Sequence, residues 1–275
     1  MILWWIKCCN IILEIATPLL PLFSKLLEKI FSVRLLDYIK KTDILYRGQY
    51  GFREKCSTQD AITDLVENIT RAIDNDEFTI GIFIDLSKAF DTIDHQLLLR
   101  KLKYYGVRGI LYKWIECCLS NRIQFVNYNN VNSTQEKIVC GVPQGSILGP
   151  ILFLIYINDL YNVSTLIKFI IFADYTNMFM SGSDASHLAK VVNQELKKLV
   201  TWFRANRLSL NIDKTNFMLF SSGGKRKCVK CNIEIKINEV NIERVKCTKF
   251  LGVLLEQNLS WVNHISCIES KISKI

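Results

Sequence analysis

Histidine is scarce in this chain. There are three in 275 residues (His95, His187, His264), and none is placed to serve as base to a nucleophile. That argues against hydrolases of the nucleophile–histidine type. An uninterrupted apolar run of membrane length is also missing. The opening stretch, MILWWIKCCNIILEIATPLLPLF, is broken by Lys7, Asn10, Glu14, Pro18 and Pro21, whereas a span needs about 20 predominantly apolar residues. It shows no clear small-residue cleavage site, so it reads as an atypical segment that packs on the body, and no membrane association is expected. Acidic charge is short: 26 Asp and Glu stand against 35 Lys and Arg, a net +9. That balance favours a polyanionic partner, though a basic surface with no partner gives the same count. Cysteine is plentiful, at ten, but lacks the spacing of a small secreted domain. Most are read as reduced, buried small hydrophobes of an intracellular protein, in cytoplasm or nucleus. Cys228-Val-Lys-Cys231, followed by Cys247, His264 and Cys267, only approximates a zinc ribbon, because a second close pair is wanting. No internal repeat is visible. Strands and helices mix without regular βαβ alternation, which favours α+β over a parallel α/β sheet.

What is present is a globular composition, 49% hydrophobic and 22% charged, on a chain long enough for one large domain or two modest ones. Phe23, Leu26, Leu27, Ile30, Phe31 and Leu35 recur at helical spacing and predict an amphipathic helix over 20–38. Residues 48–57 are rich in turn formers. Ser57-Thr-Gln-Asp then opens a helix running through Ala61, Leu65, Ile69 and Ala72. Residues 78–86 read as a buried strand. Two helices, broken near Gly106–Gly109, are expected over 94–119, and a strand pair over 124–139. A glycine-rich loop at 141–150 precedes a helix over 151–161. Strands at 168–172 and 177–180 flank an Ala-Asp-Tyr-Thr turn. A helix over 187–206, a strand over 208–220, a flexible basic loop at 221–227 and further strands to about Glu256 complete the reading.

Two acids stand out. IGIFIDLSKAFDTIDH ends an apolar strand in Asp85, and KFIIFADYTNMFM holds Asp174 in a tight turn between apolar runs. Each alone reads better as a turn or cap residue, and it is the two together with the glycine-rich motif below that favour a functional site. Carboxylates delivered by two rigid strands to one spot suit Mg²⁺, a hard cation that takes oxygen ligands. Two such ions about 3.5–4 Å apart clamp the attacking and leaving oxygens of a phosphoryl transfer. The residue after Asp174 is Tyr175, where a site of this kind wants another carboxylate. A third motif, Gly141-Val-Pro-Gln-Gly-Ser-Ile-Leu-Gly149, brackets an amide with glycines. Glycine lets backbone approach a ligand closely, and Gln144 offers both a donor and an acceptor to a base or sugar edge.

The ordered set GFREKCSTQDAI, FIDLSKAFDTIDHQLLLRKL, GVPQGSILGPILFLIYINDL, FADYTN, LVTWFRANRLSLNIDKTNFMLF and KFLGVLL resembles the reverse transcriptase domain of non-long-terminal-repeat retrotransposons, LINE-type and jockey-like, over roughly residues 20–255. The resemblance implies an α+β right-hand polymerase, with fingers and an antiparallel palm sheet backed by helices. It implies an atypical segment at 1–20, a fingers fragment at 21–78, palm with inserted fingers elements at 79–224, and a primer-grip hairpin with the start of a thumb at 225–275. The implied activity is RNA-directed DNA polymerase: two-metal transfer of deoxynucleotides to a primer end, with Mg²⁺ or Mn²⁺, an RNA template, a DNA primer and dNTP, and no obligate protein partner.

Residue by residue, Asp85 and Asp174 match the metal-binding aspartates, and Phe90 matches the ring beneath the incoming sugar, where it would exclude a 2′-hydroxyl. Gln144 and Gly145 match the loop that meets template and nucleotide. Lys214 matches a lysine that approaches pyrophosphate, and Arg53 lies in the implied fingers, where an arginine can meet phosphate. Phe250, Leu251 and Gly252 match the primer-grip hairpin. The pattern is broken at Tyr175, where the family has a second aspartate, and most of a thumb is missing. These departures imply a truncated copy with little or no synthesis. The alternative they leave open is a non-catalytic nucleic-acid-binding relic.

Overall fold

A computed structural model describes residues 22–120, 123–128, 131–142, 145–222 and 233–273. The expected N-terminal segment at 1–20, the basic loop from 223 onward, Cys228, Cys231 and Gln144 lie outside the described residues. The chain divides into two compact units, each assembled from separated stretches of sequence.

The first unit comprises residues 1–46, 88–159 and 205–208, and its described part is mainly helical. Helices α1 (Leu22–Thr42), α3 (His95–Tyr104) and α4 (Gly109–Leu119) belong to it. So do the two-residue ladders β3 (Ile123–Gln124) with β6 (Glu136–Lys137), and β4 (Asn127–Tyr128) with β5 (Val131–Asn132). Helix α5 (Gly149–Ile157) is buried almost all round, as its sequence GPILFLIYI requires, and runs on as a 3₁₀ turn, Asn158–Val163. Asp94 caps α3, its carboxylate accepting from the Leu97 amide at 2.8 Å.

Helix α1 corrects one expectation. The helix forms, but Leu26, Leu27 and Ile30 are exposed, while Glu28 and Ser32 are buried beside Leu35 and Ile39. The reason is a polar contact. The Glu28 carboxylate accepts from the Ser146 hydroxyl and from the Ile147 amide, each at 2.9 Å. Two charge-assisted bonds turn that face inward and leave the leucines outside.

The second unit comprises residues 47–87, 160–204 and 209–275. Its core is a five-stranded sheet in the order β13–β10–β1–β8–β7. The strands are β1 (Phe78–Ile84), β7 (Lys168–Phe172), β8 (Tyr175–Gly182), β10 (Asn216–Phe220) and β13 (Glu243–Arg244). All pairings are antiparallel except β10 with β13. Central β1, FTIGIFI, is buried at every position, which explains why its sequence is apolar rather than alternating. Helix α2 (Thr58–Asp74) begins at a capping box. The Asp60 amide donates to the Ser57 hydroxyl, and the Ser57 amide donates to the Asp60 carboxylate. Its stripe Ala61, Leu65, Ile69 joins Phe83, Ile170, Phe179, Met218 and Phe220 in one cluster. Helix α6 (Ala185–Ala205) buries Leu188, Val192, Leu196, Leu199 and Phe203 at helical spacing. The expected strand over 208–220 is interrupted. A short strand β9 (Ser209–Leu210) pairs with β2 (Leu86–Ser87), and a 3₁₀ turn at Ile212–Lys214 precedes β10. Small hairpins follow: β11 (Lys236–Ile237) with β12 (Val240–Asn241), and β14 (Cys247–Phe250) with β15 (Val253–Glu256). Helix α7 (Val262–Ile272) comes last. Among the described residues, no helix is long and apolar enough to cross a membrane.

Candidate active site

Register brings the two acids together. Strands β7 and β8 close at the pair Phe172–Tyr175, leaving Ala173 and Asp174 as a two-residue turn. Ala173 takes a left-handed φ of 55°, the positive φ that such primed hairpin turns demand at their first central position. Strand β8 also pairs with β1, with Thr176 opposite Ile84. Asp85 follows Ile84 directly, so it leaves β1 at the end of the sheet where the β7–β8 turn lies. Asp174 feels the result. Burial first, and the charge of Asp85 in addition, push its carboxyl above the usual carboxylate range, against a backbone hydrogen bond that lowers it. Tyr175 itself is 53% exposed.

Two further side chains converge on Asp85. The Asn211 amide nitrogen Nδ2 donates to Asp85 Oδ2 at 3.2 Å, and the Asn211 backbone amide donates to the Asp85 carbonyl at 2.9 Å. The Lys214 ammonium stands 3.8 Å from Asp85 Oδ2. Asn211 and Lys214 share the turn between β9 and β10, so one turn fixes and partly neutralises the acid. The sequence reading missed Asn211. Its spacing of three from Lys214 was the available signal.

The turn that carries Asp174 is braced from the other side by residues 48–51. The Tyr50 amide donates to the Ile171 carbonyl, and the Ile171 amide to the Gly48 carbonyl, both at 2.8 Å. Gly51 lies so close that a Cβ there would stand 2.2 Å from the Ala173 nitrogen. No side chain fits, so glycine at 51 is a condition for the hairpin's position. Arg53 follows, its guanidinium donating to the Gln49 carbonyl at 3.2 Å.

The structure thus gathers Asp85, Asp174 and Lys214 at one end of the sheet. Phe250 is buried against Phe83, ring centroids 6.0 Å apart. It anchors its hairpin while Leu251 and Gly252 form the turn, both with positive φ. Phe90 and Gly145 belong to the first unit. There Phe90 packs on Phe153, with centroids 4.7 Å apart, and its carbonyl accepts from the Val142 amide at 3.0 Å. Gly141, φ 81°, lies against the Asp91 backbone, and its carbonyl meets His95 Nε2 at 2.7 Å. Glu28 and His95, neither singled out from sequence, therefore hold the two sides of the loop containing Gly145.

Two carboxylates, one raised first by burial and in addition by its neighbour's charge, make a donor set suited to one small hard cation, which commonly takes one or two carboxylates and completes its shell with water and phosphate. A richer set is absent: among the described residues, no three His, Cys, Asp or Glu side chains are grouped to hold a metal.

Comparison with known proteins gives the family and the fold. Residues 17–255 match the family described as reverse transcriptase (RNA-dependent DNA polymerase). The chain is 29% identical over 267 residues to a probable RNA-directed DNA polymerase from transposon X-element of Drosophila melanogaster, covering 92% of this chain and 28% of that protein. It is 26% identical over 260 residues to the RNA-directed DNA polymerase from mobile element jockey of the same species, again covering 92% and 28%. The chain therefore spans a little over a quarter of the length of these relatives. Among solved structures it is similar to apo telomerase from Candida tropicalis truncated from its C-terminal domain, with TM-score 0.56, 13% identity, and coverage of 86% of this chain and 44% of that one. That likeness gives the fold: an α+β right-hand polymerase. The chain belongs to the reverse transcriptase family, among those of the non-long-terminal-repeat retrotransposons.

Proposed function

We propose that this chain is the polymerase portion of a retrotransposon reverse transcriptase, built to add deoxynucleotides to a DNA primer on an RNA template and impaired by Tyr175. The observation that carries this reading is the Asp85–Asp174 pair, which the β1–β8 register and the β7–β8 turn bring to one end of the sheet, where burial and the charge of Asp85 raise the Asp174 carboxyl. Asp85 and Asp174 would hold a divalent cation, Mg²⁺ or Mn²⁺. When bound, such a cation offsets the charge of the triphosphate and of the oxygens in transfer. Lys214 supplies a positive charge beside Asp85 for the departing pyrophosphate, and Asn211 keeps the Asp85 carboxylate oriented.

The remaining roles rest on sequence match, and that of Arg53 on its place in the implied fingers. Phe90 lies beneath the sugar, Gln144 and Gly145 meet template and nucleotide, Arg53 meets phosphate, and Phe250 to Gly252 hold the primer end. On the same basis we assign residues 21–78 to fingers, 79–224 to palm with inserted fingers elements, and 225–275 to the primer grip and the segment after it. Tyr175 replaces a carboxylate ligand by a bulkier phenol ring, so the site has one metal-binding carboxylate fewer. If the missing carboxylate held a second ion worth about 4 kcal/mol in the transition state, its loss slows synthesis about a thousandfold.

Mn²⁺ titration and primer extension on the chain, its Tyr175→Asp variant and its Asp85→Asn variant test this. The proposal expects tighter Mn²⁺ binding and a gain in synthesis for Tyr175→Asp, and loss of Mn²⁺ binding for Asp85→Asn. Robust synthesis by the unmodified chain, or Mn²⁺ binding indifferent to Asp85→Asn, would overturn it. A second reading, nucleic-acid binding without synthesis, is favoured by the thin donor set. It predicts binding to RNA–DNA hybrid that weakens with salt, while Tyr175→Asp restores no nucleotide addition.

A further inference from the structure

Residues 95–115 contain five Lys and Arg and no Asp or Glu, so 21 of 275 residues carry five of the chain's nine net positive charges. They form α3, the turn after it and the start of α4. Lys101 is already committed, its ammonium lying 2.6 Å from the Asp159 carboxylate. Arg100, Lys103 and Arg108 are exposed. Between them Tyr104 stands 84% exposed, the largest exposure among the big apolar and aromatic side chains described. Arg100 and Tyr104 are four residues apart on α3 and so share a face.

The corner is also held in shape. The Tyr38 hydroxyl donates to the Tyr105 carbonyl at 2.9 Å. Arg108 Nη1 donates to the carbonyls of Lys103 and, at 3.0 Å, of Val107, which fixes the guanidinium at the C-terminal end of α3. The Lys103 ammonium lies 4.7 Å from the centroid of the Tyr112 ring, tying α3 to α4. The Tyr104 and Tyr105 rings meet edge to face at 5.3 Å. An exposed tyrosine ordinarily keeps its ring partly covered, since the ring is mostly apolar. Here the ring projects from a segment whose charged side chains are all Lys or Arg.

We propose that this corner is a docking surface for a single strand of nucleic acid, with phosphates on Arg100, Lys103 and Arg108 and one base stacked on Tyr104. A basic track with an aromatic platform is the chemistry that holds single strands without reading sequence. The surface lies in the first unit and does not involve the aspartate pair, so it holds whether or not that pair supports synthesis.

The test is equilibrium binding of fluorescent oligonucleotides to the whole chain, with no metal or nucleotide added. Tyr104→Ala should weaken binding of single-stranded RNA or DNA about 5- to 150-fold, the range for losing one base stack. Tyr104→Phe should retain it. Each of Arg100→Gln, Lys103→Gln and Arg108→Gln should lower the slope of log affinity against log salt by about 0.7. Comparing RNA, DNA and duplex probes identifies the strand. A Tyr104→Ala affinity within twofold of the parent, or equal losses for blunt duplex, overturns the proposal. So does an outcome in which the Gln variants lose binding only to vesicles of anionic phospholipid.

Discussion

At the scale of single residues, the site is defined by charges that are close and incompletely paired. Asp174 is the clearest case. Its carboxyl is pushed up by burial and by Asp85, so the folded chain holds that proton more tightly than the unfolded chain does. For an acid with a raised folded pKa, the favourable contribution is complete below the unfolded value. It is lost as pH rises through the folded one. Removing the charge should therefore help the fold at neutral pH: Asp174→Asn raises Tm at pH 7.5 without metal, and the gain disappears by pH 3. Thermal melts across that range check it, and a lower Tm for Asp174→Asn at pH 7.5 would contradict it. Lys214 makes the opposite kind of case. Its side chain is 72% exposed and 3.8 Å from Asp85, and exposed pairs contribute about 0–1 kcal/mol. Lys214→Met should thus leave Tm nearly unchanged, within about 3 °C, while lowering synthesis in the Tyr175→Asp background. A large stability loss would make Lys214 structural.

At the scale of elements, the hairpin bearing Asp174 is positioned by a loop far away in sequence. In Gly51→Ala, the methyl would enter backbone at Ala173. Neither strand of a paired hairpin can yield cheaply, so the variant should lose about 1–3 kcal/mol, the usual cost of overpacking. Urea melts measure that loss, and a neutral result would mean that residues 48–51 do not brace the turn. This contact also shows what sequence reading reaches. Strands β1, β7 and β8, helix α2 with its cap at Ser57, and the turn at Asp174 were all legible, because period, caps and turn chemistry are local signals. The five-strand order was not, nor was the packing of Gly51, because β1 meets β8 and β10, and Gly51 meets Ala173, only across long stretches of chain. Helix α1 failed in its orientation for the same reason. Its apolar spacing is real, but Glu28 answers to Ser146 and Ile147, and no local rule weighs that contact. Asn211 was overlooked because asparagine in a turn is ordinary until its amide is seen on Asp85.

At the scale of the whole molecule, two features oppose each other. The net charge of +9 keeps copies apart. Meanwhile α1 exposes Leu26, Leu27, Ile30 and Val33, and α7 exposes Val262, Ile265, Ile268 and Ile272. On α7 these recur at intervals of three and four, an apolar stripe on a helix with no buried residue. Apolar attraction changes little with moderate salt, but repulsion between like-charged chains is screened over about 10 Å at 0.1 M and about 3 Å at 1 M. Self-association should therefore grow as NaCl is raised, opposite to the response of any nucleic-acid complex. Val262→Lys with Ile272→Glu places charges on the stripe at no cost in net charge, so any change they cause is due to lost apolar surface. Sedimentation velocity from 0.1 to 1 M NaCl should show the parent chain shifting to larger species and the double variant shifting less. Association that falls with salt would mean that opposite charges, not these faces, bring copies together.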